Sequence, residues 1–546
     1  MAKTKMVYFF GNRTAEGDGT MKELLGGKGA GLAEMTKIGL PVPAGFTITT
    51  EVCGEYYKNN RKYPAGLKEE VAANIKKLEK VTGKKLGDPV DPLLVSVRSG
   101  ASVSMPGMME TILNLGLNDV SVQGIAKKTG NLRFALDAYR RFIMMYGSTA
   151  MGIDREKFDE LFGKLKDTVT RKRLKIEKTK TVLDTDVNEE ELEALIKSYK
   201  ELYKKEIKKP FPQSPEEQLW GSITAVFGSW MADKAITYRK VEKLYGVMGT
   251  AVNVVQMVYG NKGNTSGTGV CFTRDPNTGE NVFYGDYLVN AQGEDVVAGI
   301  RTPIKLSDFE KKDPKAYKQL CDVRKILEKH YKDMQDLEFT VEEGTLYMLQ
   351  CRTGKRSPAA AFKIAVDLVN EKLIGKETAV SRIKTSDIEG IFYPTIDKSQ
   401  GQAIKSAFLV KGIDAVPGAA TGKVCFTAER AELMAERGEA VILVRKETSP
   451  EDVGGMHAAH GILTATGGTT SHAAVVARGW GKCCIVGCEA LQIDYTKKQF
   501  SVGTKIVKEG DFITLDGSLG AVYLGELKLV APKLPPAYTT LMKWAD

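Results

Sequence analysis

Apolar residues recur along this chain with two periods, and the changes of period divide it. Through roughly the first 150 residues, short strand-like runs such as Leu93–Val97 alternate with helical stretches such as Asn131–Met145. Residues 155–245 carry apolar positions at helical spacing among many charges, which predicts an amphipathic helical block. At Val252–Tyr259 (VNVVQMVY) the pattern turns to β-branched alternation, and hairpin signals follow as far as Cys351. Ser357 and Pro358 supply a cap and a favourable first residue for SPAAAFKIAVDLVNEKLI, predicting a connecting helix. From Val416 to Leu524, short strands (VILVR, CCIV, FITLD) alternate with helices and glycine turns. That spacing predicts a compact α/β domain of about 100 residues. The tail Lys528–Tyr538 is proline-containing and reads as a linker.

The pattern therefore predicts a multidomain chain, part α+β and part α/β. A region 1–355 contains a helical insert at about 155–245, a helical linker covers 356–415, a compact domain covers 416–525, and 526–546 forms a second linker. With 546 residues the chain is long enough for several cores. Its composition, 42% hydrophobic and 27% charged, is ordinary for a globular protein. No apolar run approaches a membrane span and the N-terminus lacks a signal-peptide pattern, so the expected location is cytoplasmic. The 8 cysteines include no CxxC pair, which argues against a zinc site or a disulfide framework. His457 and His460 form an HxxH without partners at metal-site spacing. The net charge of +10 suits a protein that handles polyphosphates. The most basic run, Lys164–Lys180, has no interleaved aromatics and is expected to be a solvated helical face, not a nucleic-acid site.

Five segments could carry chemistry. In KELLGGKGAGLAEM (Lys22–Met35) the glycines would allow close backbone approach to a ligand, with Lys28 as a point charge for phosphate. A flexible turn before a helix Ala30–Lys37 explains the same residues. In SVRSGASVSMPGMMETILNLG, Arg98 ends a strand-like run and could fork onto phosphate oxygens, or simply pair with a surface acid. In NKGNTSGTGVCFTRDPNTGE, the backbone and hydroxyls of Thr265, Ser266, Gly267 and Thr268 form a hairpin loop that could present donors to an anion. DLEFTVEEGTLYMLQCR (Asp336–Arg352) reads as a hairpin turning near Glu342-Glu343-Gly344. With a three-residue loop ending in glycine, Asp336, Glu338, Gln350 and Arg352 share one face. Two acids and an amide oxygen there suit Mg²⁺, and the arginine suits a phosphate tail. In GGTTSHAAVVARGWG, Thr469, Thr470 and Ser471 are cap candidates, so His472 enters the first turn of a helix. The helix dipole disfavours imidazolium there, and the free N–H groups could hold a phosphoryl group on the ring.

Taken together and in order, these motifs resemble the pyruvate, phosphate dikinase family. KELLGGKGAGLAEM, VRSGA, SGTGVCFTRDPNTGE, NAQGEDVVAGIRTP, the hairpin and GGTTSHAAVVARGWGKCCIVGC carry the resemblance from residue 20 to 490. It implies an ATP-grasp nucleotide-binding region followed by a swivelling phosphohistidine domain. Lys28 and Arg98 would contact ATP phosphates. Glu338 and Gln350 would hold Mg²⁺, and Asp336 and Arg352 would line the same site. Gln256-Met257-Val258 would meet the adenine and Glu294 the nucleotide. Arg141 would help bind inorganic phosphate, His472 would carry the phosphoryl group, and Thr470 matches a regulatory phosphorylation site of some members. The ligands implied are ATP, AMP, phosphate and pyrophosphate, with no nucleic acid and no membrane. Two positions depart from the family pattern: Thr469 stands where a methionine is expected and Thr466 where a basic residue is common. The family normally continues into a (β/α)₈ barrel that binds pyruvate and phosphoenolpyruvate, and a homodimer would form through that part. The sequence ends at Asp546 without it, so the nucleotide half of the reaction is what the chain is expected to perform. The alternatives are a water-dependent dikinase of the phosphoenolpyruvate synthase type, a phosphocarrier like enzyme I of the sugar phosphotransferase system, and a non-catalytic ATP-binding protein.

Overall fold

The β-branched run near Val252 forms the strand Ala251–Gln256, an inner strand of a six-stranded antiparallel sheet. The structure is a computed structural model and describes residues 5–103, 105, 110–177, 182–241, 244, 246–293, 295, 303–391, 394–530 and 534–545. The chain divides into two compact units, Met1–Val258 and Tyr259–Asp546.

In the first unit the sheet runs, by strand, Thr14–Ala15, Val7–Gly11, Gly45–Ile48, Ala251–Gln256, Val95–Gly100 and Thr111–Leu115. The strand Val95–Gly100 thus pairs with residues 151 to 161 positions later (Gly100 with Ala251, Val95 with Gln256), a contact no local pattern reveals. The helix Lys22–Lys37 begins eight residues before the expected Ala30 and is broken by Gly26, at φ 69 and ψ 161. Gly27 N donates to Ala101 O at 2.8 Å, which seats the glycine run against the SGA segment after Arg98. The expectation that these glycines leave room for a ligand is corrected at Gly26. A Cβ there would lie 1.9 Å from Gly100 O, so its missing side chain admits the protein's own backbone.

The helical block contains Arg155–Leu165, Glu189–Ile207, Pro215–Ser229 and Asp233–Val241, as its periodicity predicts. Asn188 opens the longest of these with a capping box: its side chain accepts from Glu191 N while Glu191 Oε2 accepts from Asn188 N, both at 3.0 Å. Within the basic run, Arg171 pairs with Asp167 and Arg173 with Glu191. Residues 178–181 of that run lie outside the described residues.

The second unit holds two larger sheets. The first orders Ile304–Lys305, Tyr284–Val289, Gly267–Phe272, Gln335–Glu342 and Thr345–Thr353, all antiparallel. One face is apolar: Tyr287 stacks on Phe309 with centroids 4.0 Å apart, and Phe339 lies beside both. The other face carries Asp286, Glu338, Gln350 and Asp336. The connecting helix Pro358–Asn370 follows its sequence signal, with Ser357 Oγ accepting from Ala360 N at 3.2 Å.

The second sheet has eight strands and belongs to the compact α/β domain, with parallel pairing from Ala419–Cys425 through Val441–Arg445 and Gly461–Thr464 to Cys483–Val486. Two of its outer strands, Phe408–Lys411 and Ile413–Val416, lie in the stretch expected to be linker. The tail is corrected more strongly. Leu529–Val530 pairs with Thr395–Ile396, and the helix Pro536–Ala545 packs back on Phe362 through Tyr538 and Leu541. Its prolines start the helix, and Tyr538, Leu541, Met542 and Trp544 supply the helical apolar spacing that makes it dock.

Among the described residues no helix is long and apolar enough to cross a membrane. All 8 cysteines are free thiols.

Candidate functional site

The hairpin brings its four polar residues to one face, by a route the sequence reading did not foresee. The loop is a two-residue turn, Glu343 and Gly344, both at positive φ, in place of three residues. Near the turn Phe339 pairs with Met348, but beyond it Glu338 pairs with Gln350 and Asp336 with Arg352. Leu349 is the extra residue of a β-bulge. An unbulged ladder from that turn would pair Asp336 with Cys351 and turn Gln350 and Arg352 to the opposite face. Arg352 Nε donates to Asp336 Oδ2 at 2.6 Å. Burial raises the Asp336 carboxyl, and the guanidinium opposes that shift. One pair along, a carboxylate and an amide oxygen face each other. Glu338 and Gln350 thus offer hard oxygen donors suited to Mg²⁺ and its phosphate partners. Among the described residues no group of three His, Cys, Asp or Glu forms a fuller cation cage.

His472 opens the helix His472–Trp480, which crosses over from the strand Gly461–Thr464 to its parallel neighbour Cys483–Val486. Loops beyond the carboxyl ends of parallel strands are where α/β folds place reactive groups. Thr448 follows the adjacent parallel strand Val441–Arg445, so the same rule brings it to the ring. Thr448 Oγ1 lies 3.0 Å from His472 Nδ1. Nε2 is buried and has no hydrogen-bond partner among the described residues; the same is true of Thr470 Oγ1 and Ser471 Oγ. Ser471 sits at the cap with extended backbone but makes no side-chain cap bond, contrary to expectation. Three unengaged polar side-chain atoms thus gather at the start of this helix. Burial lowers the His472 pKa from its ordinary 6.5, against the pull of Asp452 and Glu451. A neutral ring follows, with burial as the largest cause.

The tautomer with Nδ1–H donating to Thr448 Oγ1 leaves the Nε2 lone pair free. We expect Thr448→Val to slow reaction of the ring with phosphoramidate, a small chemical phosphoryl donor, roughly threefold to tenfold, the worth of one neutral hydrogen bond. Thr448→Ser should restore it. The wild-type rate should hold its neutral-ring plateau below pH 6.5, because the ring's pKa is depressed. A pH profile of labelling, read with the ¹⁵N shifts of the imidazole, checks both.

The remaining candidates divide. Lys28 lies beside the end of the strand that carries Arg98: a Cβ added to Gly100, two residues after Arg98, would lie 3.4 Å from Lys28 Cβ. Gln256 and Met257 end the strand Ala251–Gln256, but their N–H groups already donate to Ala44 O and Leu94 O, at 2.8 and 2.9 Å. Arg141 is buried in an ion network, its Nε on Asp137 Oδ2 at 2.9 Å, with Arg140 and Asp184 adjoining. The hydroxyl loop is tied into the sheet. Ser266 Oγ accepts from Glu343 N at 3.0 Å, Thr268 Oγ1 donates to Phe339 O at 3.0 Å, and Gly267 lies within the ladder. These groups close the sheet, because a hydroxyl buried beside an unmet backbone group bonds it in preference to a ligand. Thr265 alone of the four is exposed. Glu294 lies outside the described residues.

Sequence reading missed Thr448, Asp286 and Arg478, and gave Ser471 only as a cap candidate. Thr448 was reachable from the strand-end rule. The others depend on long-range contact: Thr469 Oγ1 donates to Asp286 Oδ2 at 2.9 Å, and Arg478 Nε donates to Asn277 Oδ1 at 3.2 Å.

Comparison with known proteins gives two family matches. The family described as pyruvate phosphate dikinase, AMP/ATP-binding domain, matches residues 22–64, 60–315 and 308–373. The family described as PEP-utilising enzyme, mobile domain, matches residues 438–520. The chloroplastic pyruvate, phosphate dikinase of Flaveria pringlei is 52% identical over 99% of this chain and 55% of its own length. The pyruvate, phosphate dikinase of Clostridium symbiosum is 50% identical over 99% of this chain and 60% of its own. The chain thus spans somewhat more than half the length of these relatives.

Proposed function

Because this chain belongs to the pyruvate, phosphate dikinase family, we propose that it transfers phosphoryl groups from ATP to His472. The reaction consumes inorganic phosphate and gives AMP and pyrophosphate. The observation that carries this reading is the buried, unpartnered Nε2 of a neutral imidazole at a helix start, with Nδ1 engaged by Thr448. Nε2 attacks the β-phosphorus of ATP in line. A nitrogen–phosphorus bond forms, the bond from that phosphorus to the bridging oxygen of AMP breaks, and AMP leaves. Inorganic phosphate then attacks the terminal phosphorus. Pyrophosphate leaves, and phosphohistidine remains, available for onward transfer to pyruvate.

In this proposal the protein's part is positioning and charge neutralisation. Lys28 and Arg98 contact ATP phosphates, and Gln256 to Val258 meet the adenine through groups other than the two N–H donors already used in the sheet. Arg352, held by Asp336, faces the phosphate tail. Glu338 and Gln350 would hold Mg²⁺, which when bound neutralises phosphate charge. The hydroxyls of Thr470 and Ser471 and the free N–H groups of the helix bond the phosphoryl oxygens once the group is on the ring. Arg141 is assigned to inorganic phosphate. A phosphate on Thr470 would crowd the space of the transferred group, which gives modification there a direct way to stop the reaction.

The test is incubation with Mg²⁺ and ATP labelled at the β-phosphorus. Acid-labile, base-stable label on the wild type, absent from His472→Ala, is the expected result. Pyrophosphate release that depends on added phosphate separates this reaction from a water-dependent dikinase. No label, or equal label on the variant, defeats the reading.

A further inference from the structure

A small cavity opens at the edge of the compact α/β domain that lies opposite His472. His460 and Lys482 directly precede Gly461 and Cys483, which are register partners on adjacent parallel strands. Neighbouring strands lie about 4.8 Å apart, so the two basic residues reach the cavity side by side. Trp480, the last residue of the helix that His472 opens, forms a further wall. Pro417 and Gly418, just before the strand Ala419–Cys425, complete the lining. At 1.5 Å per residue, the helix sets Trp480 roughly 12 Å from His472. The ring stands beyond the carboxyl ends of the parallel strands and the cavity at their amino ends, so the two places are separate.

No acid lines this cavity. Among the described residues Lys482 Nζ makes one hydrogen bond, to Ala459 O at 2.6 Å, and no ion pair. That bond closes the carbonyl after the short helix Val453–Ala458 and uses one of three N–H donors. Burial lowers the Lys482 pKa from its ordinary 10.5. Burial lowers that of His460 too, and the neighbouring Lys482 charge adds to the shift. Cys483 brings no negative charge, because burial pushes its thiol up to about 12. The lining thus gathers basic groups with nothing to offset them. A metal cation would meet like charge and no carboxylate there. An anion would pair with the ammonium and relieve the repulsion between lysine and histidine.

Size narrows the ligand. The cavity holds about 170 Å³. A cavity of about 150 Å³ accepts benzene, whereas sites for larger ligands start near 300 Å³. A nucleotide is therefore too large, and an anion of a few heavy atoms fits. We propose that this cavity binds a small oxyanion, inorganic phosphate or a short carboxylate, with Lys482 as its ion-pair partner and His460 as a second donor. The site is independent of the phosphoryl transfer proposed above.

The test uses the full chain labelled with ¹³C at histidine Cε1. Its 4 histidines give 4 resonances, and that of His460 is the one missing from His460→Gln. Sodium phosphate and sodium acetate are each titrated at pH 7 and compared with sodium chloride at equal ionic strength. The His460 resonance should move saturably with at least one oxyanion and stay in place with chloride. The tighter of the two oxyanions identifies the occupant. In Lys482→Gln the affinity should fall by roughly tenfold or more, the worth of a hydrogen bond to a charged group. That variant should keep wild-type labelling of His472 by phosphoramidate, which excludes misfolding. An equal response to chloride, a response that does not saturate, or one undiminished in Lys482→Gln overturns the site. Should the variant not fold, the wild type decides: saturation by an oxyanion against a flat chloride response supports the site, and its absence overturns it.

Discussion

Gly26→Ala should destabilise the first unit by about 3–5 kcal/mol, far more than an ordinary glycine substitution. Two effects add. The backbone at φ 69 and ψ 161 lies in a region essentially closed to residues with a Cβ. A Cβ would also stand 1.9 Å from Gly100 O, a backbone atom that moves only if the strand moves. Relief therefore means lifting the helix Lys22–Lys37 off the strand Val95–Gly100, taking Lys28 away from Arg98. Gly39→Ala is the control, since that glycine is also at positive φ, 85, but has no atom within 4 Å of where a Cβ would stand. It should cost only about 1 kcal/mol. Hydrogen exchange of the amides in Val95–Gly100 and Ala251–Gln256 measures both. Equal costs would mean that the close approach is not what makes Gly26 necessary.

Arg274→Ala should cost about 3–5 kcal/mol in the second unit, the usual price of stripping a buried charge set of its central partner. The Arg274 side chain is 0% exposed and ties three elements together. It bonds Glu328 on the helix Pro314–Tyr331 at 2.7 and 3.2 Å, and Glu371, just after the helix Pro358–Asn370, at 3.0 and 2.5 Å. Burial works against the guanidinium charge, but the two carboxylates more than offset it and raise its pKa above the usual range. The Arg274 hydrogen bonds lower the Glu371 pKa below its ordinary 4.5. A depressed carboxylate gives stability that is present above its unfolded pKa and is lost as pH falls through the folded one. The gap between wild type and variant should therefore be full at pH 7 and narrow below about pH 4.5. Replacing all three residues with apolar ones of similar size should recover much of the loss, because no charge then stays buried alone. Urea unfolding at pH 7 and at pH 4 distinguishes these outcomes. A gap unchanged by pH would remove the ion set from the explanation.

The same contrast between local rule and long-range contact runs through the whole chain. Sequence by itself determined what depends on neighbours in the chain. The described helices of the block expected at 155–245, the Ser357-capped helix, the alternating strand around Val252 and the αβ pattern around His472 follow from spacing, caps and β-branching. The one-face grouping of Asp336, Glu338, Gln350 and Arg352 was legible from period two, and the place of His472 at a helix start from its flanking residues. Tertiary structure decided whatever depends on partners far away. The bulge at Leu349 fixed the hairpin parity that a loop length was expected to fix. The ladder of the five-stranded sheet took up the hydroxyls of Ser266 and Thr268, and the Gly100 carbonyl took up the space at Gly26. The tail became a packed helix because Phe362 lay ready to cover its apolar stripe. The physical reason is one of range: periodicity and capping energies act within a few residues, whereas burial and hydrogen-bond satisfaction are settled by whichever atoms the finished fold brings together.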